Sequence, residues 1–233
     1  MPEDIEKLKL KINYNFADKA LLREALTHRT YAVENSLPYD NQRLEFLGDA
    51  VLEIILSEYL FKLYPDAQEG ELTKMRSAMV NQYSLAILAR NIDLGAFMIT
   101  GKGEKENGGC DRDSTLSDLF EALIGAFYLD ADLETVKNFI LEIVKKEFPD
   151  PRKLLLDLNP KGILQEYSQK KWNEPPIYEI LSVSGPDHAP VFSVEVIIDE
   201  IRAPGTASSR KQAEIEAAKN AIVIISKKDP DCF

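Results

Sequence analysis

From residue 4 to about 148, apolar positions recur three and four apart, the period of amphipathic helices. The pattern predicts a short helix over 4–12. A second follows, capped by Asp18, with Leu21, Leu22, Ala25 and Leu26 on one face. A longer helix begins near Asp40 or Asn41 and is stopped by Pro65. Residues 71–90 read as one or two helices, with Asn81 a candidate internal cap and Gly95 just past the end. Residues 101–113 form a Gly-rich polar stretch, expected as a mobile connection, and helices over 114–129 and 134–148 complete this part.

The period breaks at Phe148-Pro149-Asp150-Pro151, because the residue before a proline is steered away from helix. Residues 149–160 are therefore expected to link two domains. Beyond them, 162–171 reads as helix, 178–183 and 191–198 as strands, and 201–206 as a short third strand. Ser208 and Ser209 then cap a helix through Ile225 whose Ala213, Ala217, Ala218 and Ile222 face inward. The expected fold class is an all-α domain over 1–148 followed by a small α+β (α-β-β-β-α) domain over 161–228.

With 233 residues, 45% of them apolar, both parts can bury a core. The acidic opening Met1-Pro2-Glu3-Asp4 is no signal peptide, and the apolar run at 221–225 is far too short to cross a bilayer. Cys110 and Cys232 lie far apart and read as free thiols. These features predict a soluble cytoplasmic protein without a membrane partner. A net charge of −11 argues against phosphate binding by the whole chain. Residues 160–228, however, hold nine Lys and Arg against nine Asp and Glu, so the acidic excess lies elsewhere.

Part of that excess occupies unusual places. Glu45 and Asp49 are four apart on a helix carrying Leu44, Phe46, Leu47, Ala50, Val51, Leu52, Ile54 and Ile55 in nearly every direction. A helix apolar all round is expected to be buried. Gly48 in its middle implies close approach of another backbone. Asp118 and Glu121 repeat the arrangement amid Leu116, Leu119, Phe120, Ala122, Leu123 and Ile124. Buried carboxylates need protonation, a cationic partner or a metal, and Arg43 is the nearest basic residue. If the two helices face each other, four carboxylates converge. An all-oxygen set with open positions suits Mg²⁺ or Mn²⁺, and such a site can activate water for phosphodiester hydrolysis. Periodicity alone leaves a second reading open, in which the acids are exposed and complement helix dipoles.

The segment Leu44-Glu45-Phe46-Leu47-Gly48-Asp49-Ala50-Val51-Leu52 resembles the signature of the ribonuclease III family. Asp118-Leu119-Phe120-Glu121-Ala122-Leu123-Ile124-Gly125 resembles its second acidic motif, and Ala25-Leu26-Thr27-His28 and Glu69-Gly70-Glu71-Leu72 match further stretches. The resemblance spans essentially the whole chain. It implies a Mg²⁺-dependent endoribonuclease, with Mn²⁺ able to substitute, in which Glu45, Asp118 and Glu121 hold the metal and Asp49 is an essential acid. It also implies a homodimer joined through residues around Phe46 and Leu47. Two sites then flank a valley for double-stranded RNA and leave staggered 5′-phosphate and 3′-hydroxyl ends. Glu69 matches a secondary acidic position near the valley. Gln42 departs from the pattern, since the family commonly has Glu there; an amide hydrogen-bonds but lacks carboxylate charge. His28 reads as a structural histidine, and the 101–109 glycines lack the Gly-Lys-Ser/Thr of a phosphate loop.

The C-terminal order, with Ser208-Ser209-Arg210-Lys211-Gln212-Ala213-Glu214, resembles a double-stranded-RNA-binding domain. In such a domain Ser209, Arg210 and Lys211 meet phosphates at a helix N-terminus, and Gln165 and Gln169 offer amides to one minor groove. His188, in the turn after Gly185-Pro186, matches a contact to the next groove. Ala207 stands where a glycine is common. The expected function is processing of ribosomal RNA precursors and other structured transcripts. A catalytically silent RNA-binding component of a ribonucleoprotein is the alternative.

Overall fold

The computed structural model describes residues 5–186 and 188–229, and chain contacts divide the protein into units 1–151 and 152–233. In the first unit α1 (Ile5–Ile12), α2 (Lys19–Leu26) and α3 (Arg29–Glu34) precede the long α4 (Gln42–Leu63). Then come α5 (Glu69–Val80), α6 (Gln82–Asn91), α7 (Lys102–Glu106), α8 (Asp113–Asp130) and α9 (Leu133–Glu147), with short 3₁₀ turns at Leu94–Phe97 and Gly109–Asp111. Asp18 caps α2 through the amides of Ala20 and Leu21, and Asn81 separates α5 from α6 by accepting from the Ser84 amide. Both caps follow the side-chain chemistry expected of them.

The unit is built around α8. Every residue from Thr115 to Phe127 is buried except Asp118 and Glu121. Tyr14 stacks on Phe127 with ring centroids 4.3 Å apart and donates its hydroxyl to the Asp130 carboxylate at 2.8 Å. Asp130 also accepts from the amides of Ala17 and Asp18, so the end of α8 is tied to the chain entering α2.

Two expectations change here. Residues 101–113 are not a loose connection: α7 and a 3₁₀ turn occupy them. Their start is fixed by Gly101 N–H donating to Thr30 Oγ1 and Lys102 N–H to the Glu34 carboxylate, both at 3.1 Å. Those two amides are therefore taken within the chain. Nor is α4 buried on all sides, because Phe46, Ile54 and Phe61 are 81%, 59% and 69% exposed. Among the described residues nothing covers that stripe.

In the second unit α10 (Pro151–Leu158) occupies most of the stretch expected as linker, followed by α11 (Pro160–Trp172), β1 (Ile177–Ser184), β2 (Val191–Ile198), β3 (Ile201–Ala207) and α12 (Arg210–Lys228). The strands form an antiparallel sheet in the order β1-β2-β3, with an irregularity in β1 between Ile180 and Ser182. Val196 and Ile198 of β2 and Ala203 of β3 meet Ala217, Ala218, Ala221 and Ile222 of α12 in a small core that includes Leu164. The alanine face lets α12 lie close to the sheet. At Gly205 a Cβ would overlap the backbone of Ala213 and Ala217, so that position requires glycine. No described helix is long and apolar enough to cross a membrane. Cys232 lies outside the described residues, and Cys110 is a free thiol.

Candidate functional site

The crossing of α4 and α8 sets the geometry. A Cβ on Gly48 would overlap the carbonyl oxygen of Glu121, and one on Gly125 would overlap that of Leu44. Two glycines thus bring the helix backbones into direct contact, as the position of Gly48 suggested. Side chains one turn away on either helix are forced to the same edge of the crossing. There Glu45, Asp118 and Glu121 each offer a carboxylate oxygen, all within 4.8 Å of one another.

Electrostatics at this edge are unfavourable for the protein alone. Burial, then the charges of Asp49, Asp118 and Glu45, pushes Glu121 up to about 8. Glu45 is raised by burial and then by Asp118, Asp40 and Asp49. Asp118 is raised by burial, while His28 beside it works the other way. Among the described residues no Lys or Arg forms an ion pair with these acids, and Arg43 is exposed without reaching them. A cluster of hard oxygen donors lacking an internal cation fits a divalent ion. Of the four acids expected to converge, three form this group. Asp49 stays exposed on the flank of α4, near enough for its charge to act on Glu45 and Glu121.

An open cleft of about 410 Å³ reaches the cluster, lined by His28, Arg29, Thr30, Glu34, Asn41, Gln42, Glu45 and Asp118 among others. Gln42, the first residue of α4, is exposed in this cleft. Glu69 instead starts α5, where its carboxylate accepts from Thr73 Oγ1 at 3.0 Å, and it is not one of the clustered acids. His28, read from sequence as merely structural, lines the same cleft as Glu45 and Asp118. Its placement depends on Asn41 N–H donating to Thr27 O and His28 N–H to Ile99 O, both at 2.9 Å. Those long-range bonds leave no mark on local periodicity.

In the second unit the residues expected to meet RNA are all exposed. Gln165 and Gln169 lie one turn apart on α11, Ser209 caps α12 by accepting from the Gln212 amide, and Arg210 and Lys211 open that helix. His188 sits in the β1–β2 turn. Two of them are already engaged: Gln169 donates to Asn173 at 2.7 Å, and Arg210 donates to Glu214 at 2.8 Å. Glu214 also accepts from Lys161 at 2.6 Å, and the two cations lower its pKa against the opposing effect of burial. Lys161 rests 4.3 Å from the centre of the Tyr178 ring. The Tyr178 hydroxyl is buried without a hydrogen-bond partner, and burial, then Glu214, pushes it up to about 12.

Family comparison agrees with both halves of this geometry. Residues 18–147 match the model described as Ribonuclease-III-like, and 160–224 match the Double-stranded RNA binding motif. A ribonuclease 3 of Nitratiruptor sp. is 40% identical over 230 residues, covering 97% of this chain and 99% of the relative. One of Natranaerobius thermophilus is 44% identical over 226 residues, covering 96% and 97%. The solved nuclease domain of Campylobacter jejuni ribonuclease III superposes with a TM-score of 0.60 at 44% identity, covering 63% of this chain and 99% of that one. The acidic crossing of α4 and α8 thus stands inside a match running nearly the full length of both chains: the protein belongs to the ribonuclease III family.

Proposed function

We propose that the protein is a divalent-metal-dependent endoribonuclease that hydrolyses double-stranded RNA, with residues 1–148 as nuclease domain, 149–160 as linker and 161–228 as RNA-binding domain. The observation that carries the catalytic half is the group Glu45, Asp118 and Glu121, within 4.8 Å and without an internal cation. These three would hold Mg²⁺, with Mn²⁺ as substitute. When bound, the ion supplies Lewis-acid stabilisation of charge on the reacting phosphodiester. Asp49 supports the cluster from its flank, adding negative charge that favours cation uptake although it also raises the Glu121 pKa. Gln42 and Glu69 have secondary roles, Gln42 at the mouth of the cleft.

The exposed Phe46, Ile54 and Phe61 on α4 support a homodimer through the nuclease domain, since large apolar side chains aligned on one helix form the kind of face that a second copy covers. The solved Campylobacter nuclease domain likewise has a region involved in dimer formation. Two sites acting on opposite strands would leave staggered ends bearing 5′-phosphate and 3′-hydroxyl groups. The substrates in this reading are ribosomal RNA precursors and other structured transcripts in the cytoplasm. Gln165, Gln169, His188, Ser209, Arg210 and Lys211 hold the duplex by its grooves and phosphates. A silent RNA-binding component is disfavoured, because a binder has no use for half-buried, mutually repelling carboxylates at a crossing of two helices. A phosphatase for small substrates leaves the RNA-binding half without a purpose.

Purified protein incubated with end-labelled duplex RNA should yield discrete fragments in Mg²⁺ and intact duplex in EDTA. Binding without cleavage in Mg²⁺ and Mn²⁺ would sink the nuclease reading, and cleavage of single strands alone would sink the duplex specificity.

A further inference from the structure

His28 combines two features that a purely structural histidine does not need. Its ring caps α3, with Nδ1 accepting from the Thr30 amide at 3.4 Å, and Nδ1 also lies 2.8 Å from Thr30 Oγ1. That hydroxyl oxygen already accepts from Gly101 N–H at 3.1 Å, so its own hydrogen is free to point at Nδ1. With Nδ1 an acceptor twice over, the neutral ring carries its proton on Nε2. Nε2 has no partner among the described residues, and the ring lines the cleft shared by Glu45 and Asp118. A relay running from the start of α7 through Thr30 to the imidazole thus fixes one tautomer and leaves an unspent N–H donor beside the metal-type cluster.

We propose that His28 is a substrate-positioning residue of the nuclease site, donating from Nε2 to a non-bridging oxygen of a backbone phosphate next to the one being cut. The inference rests on the endoribonuclease reading above. A backbone phosphate entering this cleft meets the carboxylates of Glu45 and Asp118, so an N–H donor in the same cleft helps orient it. Thr30 and Gly101 act through His28 and touch no RNA themselves.

The decisive variant is His28→Asn. Asparagine is a good helix cap, so the α3 contact survives, whereas its shorter side chain withdraws the donor from the cleft. Measurements on the full chain are single-turnover cleavage of a labelled duplex in Mg²⁺, duplex affinity in EDTA, and melting temperature. The expected result is cleavage slower by about 10- to 100-fold at unchanged affinity and melting temperature. A single phosphorothioate beside the cut should slow the wild-type chain and make no further difference to His28→Asn. Cleavage within about twofold of wild type overturns the proposal and leaves His28 a cap. A loss of activity that tracks a fall in melting temperature overturns it too. Failure of the wild-type chain to cut duplexes would instead remove the endonuclease reading itself, and this inference with it.

Discussion

Glu121 on α8 and Glu214 on α12 both project from helices whose neighbouring residues are buried, yet they meet opposite surroundings. Around Glu121 are only other carboxylates, and its pKa rises to about 8. Around Glu214 are Lys161 and Arg210, and its pKa falls. The second unit closes its own ion cluster, while the first leaves its cluster open to be completed from outside. A carboxylate satisfied by the chain fixes local structure, whereas one that the chain leaves crowded marks a place for a ligand.

The largest consequence is for cleavage. Glu121→Gln should reduce single-turnover cleavage by at least about 10³-fold while leaving duplex affinity in EDTA intact, because the amide keeps the shape and loses the charge needed for a cation. Glu214→Gln should leave the cleavage step within about threefold. Equal losses in the two variants would dissolve the contrast. Next comes the scaffold of the open cluster. Gly48→Ala drives a methyl group into the Glu121 carbonyl and should cost about 3 kcal/mol or more in denaturant unfolding. Gly70→Ala, a helical position with open space around it, should be neutral or stabilise by up to about 1 kcal/mol. A tolerated Gly48→Ala would mean that the crossing is looser than its backbone contact implies.

Acidity should move the two clusters in opposite directions. The folded chain holds the Glu121 proton more tightly than the ordinary value of 4.5 requires, so this stabilisation is full below about 4.5 and gone above about 8. Because the carboxyl still touches water, which screens the repulsion, the metal-free protein should lose about 1–3 kcal/mol across that window. Added Mg²⁺ should restore it. Glu214, with its lowered pKa, stabilises above its ordinary 4.5 and loses that contribution as pH falls through the lowered value. The only tryptophan, Trp172, packs against the core of the second unit, so its fluorescence reports there while far-ultraviolet dichroism is dominated by the helical first unit. If the two signals shift with pH in the same direction, the opposition is wrong.

A smaller effect is expected at the RNA-facing end. Arg210→Ala with Lys211→Ala should weaken duplex binding by about tenfold at moderate salt and flatten its salt dependence by about one to two units of slope. Arg210 already shares Glu214 with Lys161, so Lys211 should account for most of the loss. Filter binding across a salt series measures both, and an unchanged slope would exclude this helix end from the phosphate contacts.

The comparison also explains what could be read from the chain. Helix period and the Asp18 and Asn81 caps are local properties, and most expected elements end within about two residues of the observed ones, while α3 and α10 leave no such mark in the sequence pattern and α12 continues past Ile225 to Lys228. Gly48 flagged a close backbone because glycine inside an apolar helix has few other uses. Glu45, Asp118 and Glu121 were legible because carboxylates amid apolar residues violate the pattern around them. The cleft role of His28 was not, since it arises from bonds between segments some seventy residues apart, Thr30 with Gly101 and His28 with Ile99. The exposed stripe on α4 escapes the periodicity for a related reason: hydrophobicity all round a helix does not say which of its faces the same chain covers. The ordered 101–113 stretch was missed because Thr30 and Glu34, outside it, fix its start.

Gln42 offers a finer test of the open cluster. It begins α4 at the mouth of the cleft, with its backbone N–H donating to Asp40 Oδ1 at 3.1 Å, and its side chain presents no charge to Glu45 or Asp118. Gln42→Glu would add a carboxylate in the first turn, where the helix dipole favours it, but also beside Glu45 and Asp118, whose pKa values burial has already raised. The two influences oppose, so folding stability should change little. Cation uptake should gain, because the added charge is repaid only when an ion is present. The Mg²⁺ concentration for half-maximal cleavage should therefore fall by about two- to fivefold, with the saturated rate within about threefold of wild type. Metal titrations of both proteins on one duplex, with fragments mapped, measure this directly. Superimposable titrations and identical cut sites would mean that residue 42 lies too far from the ion to matter, and that the open cluster ends at Glu45.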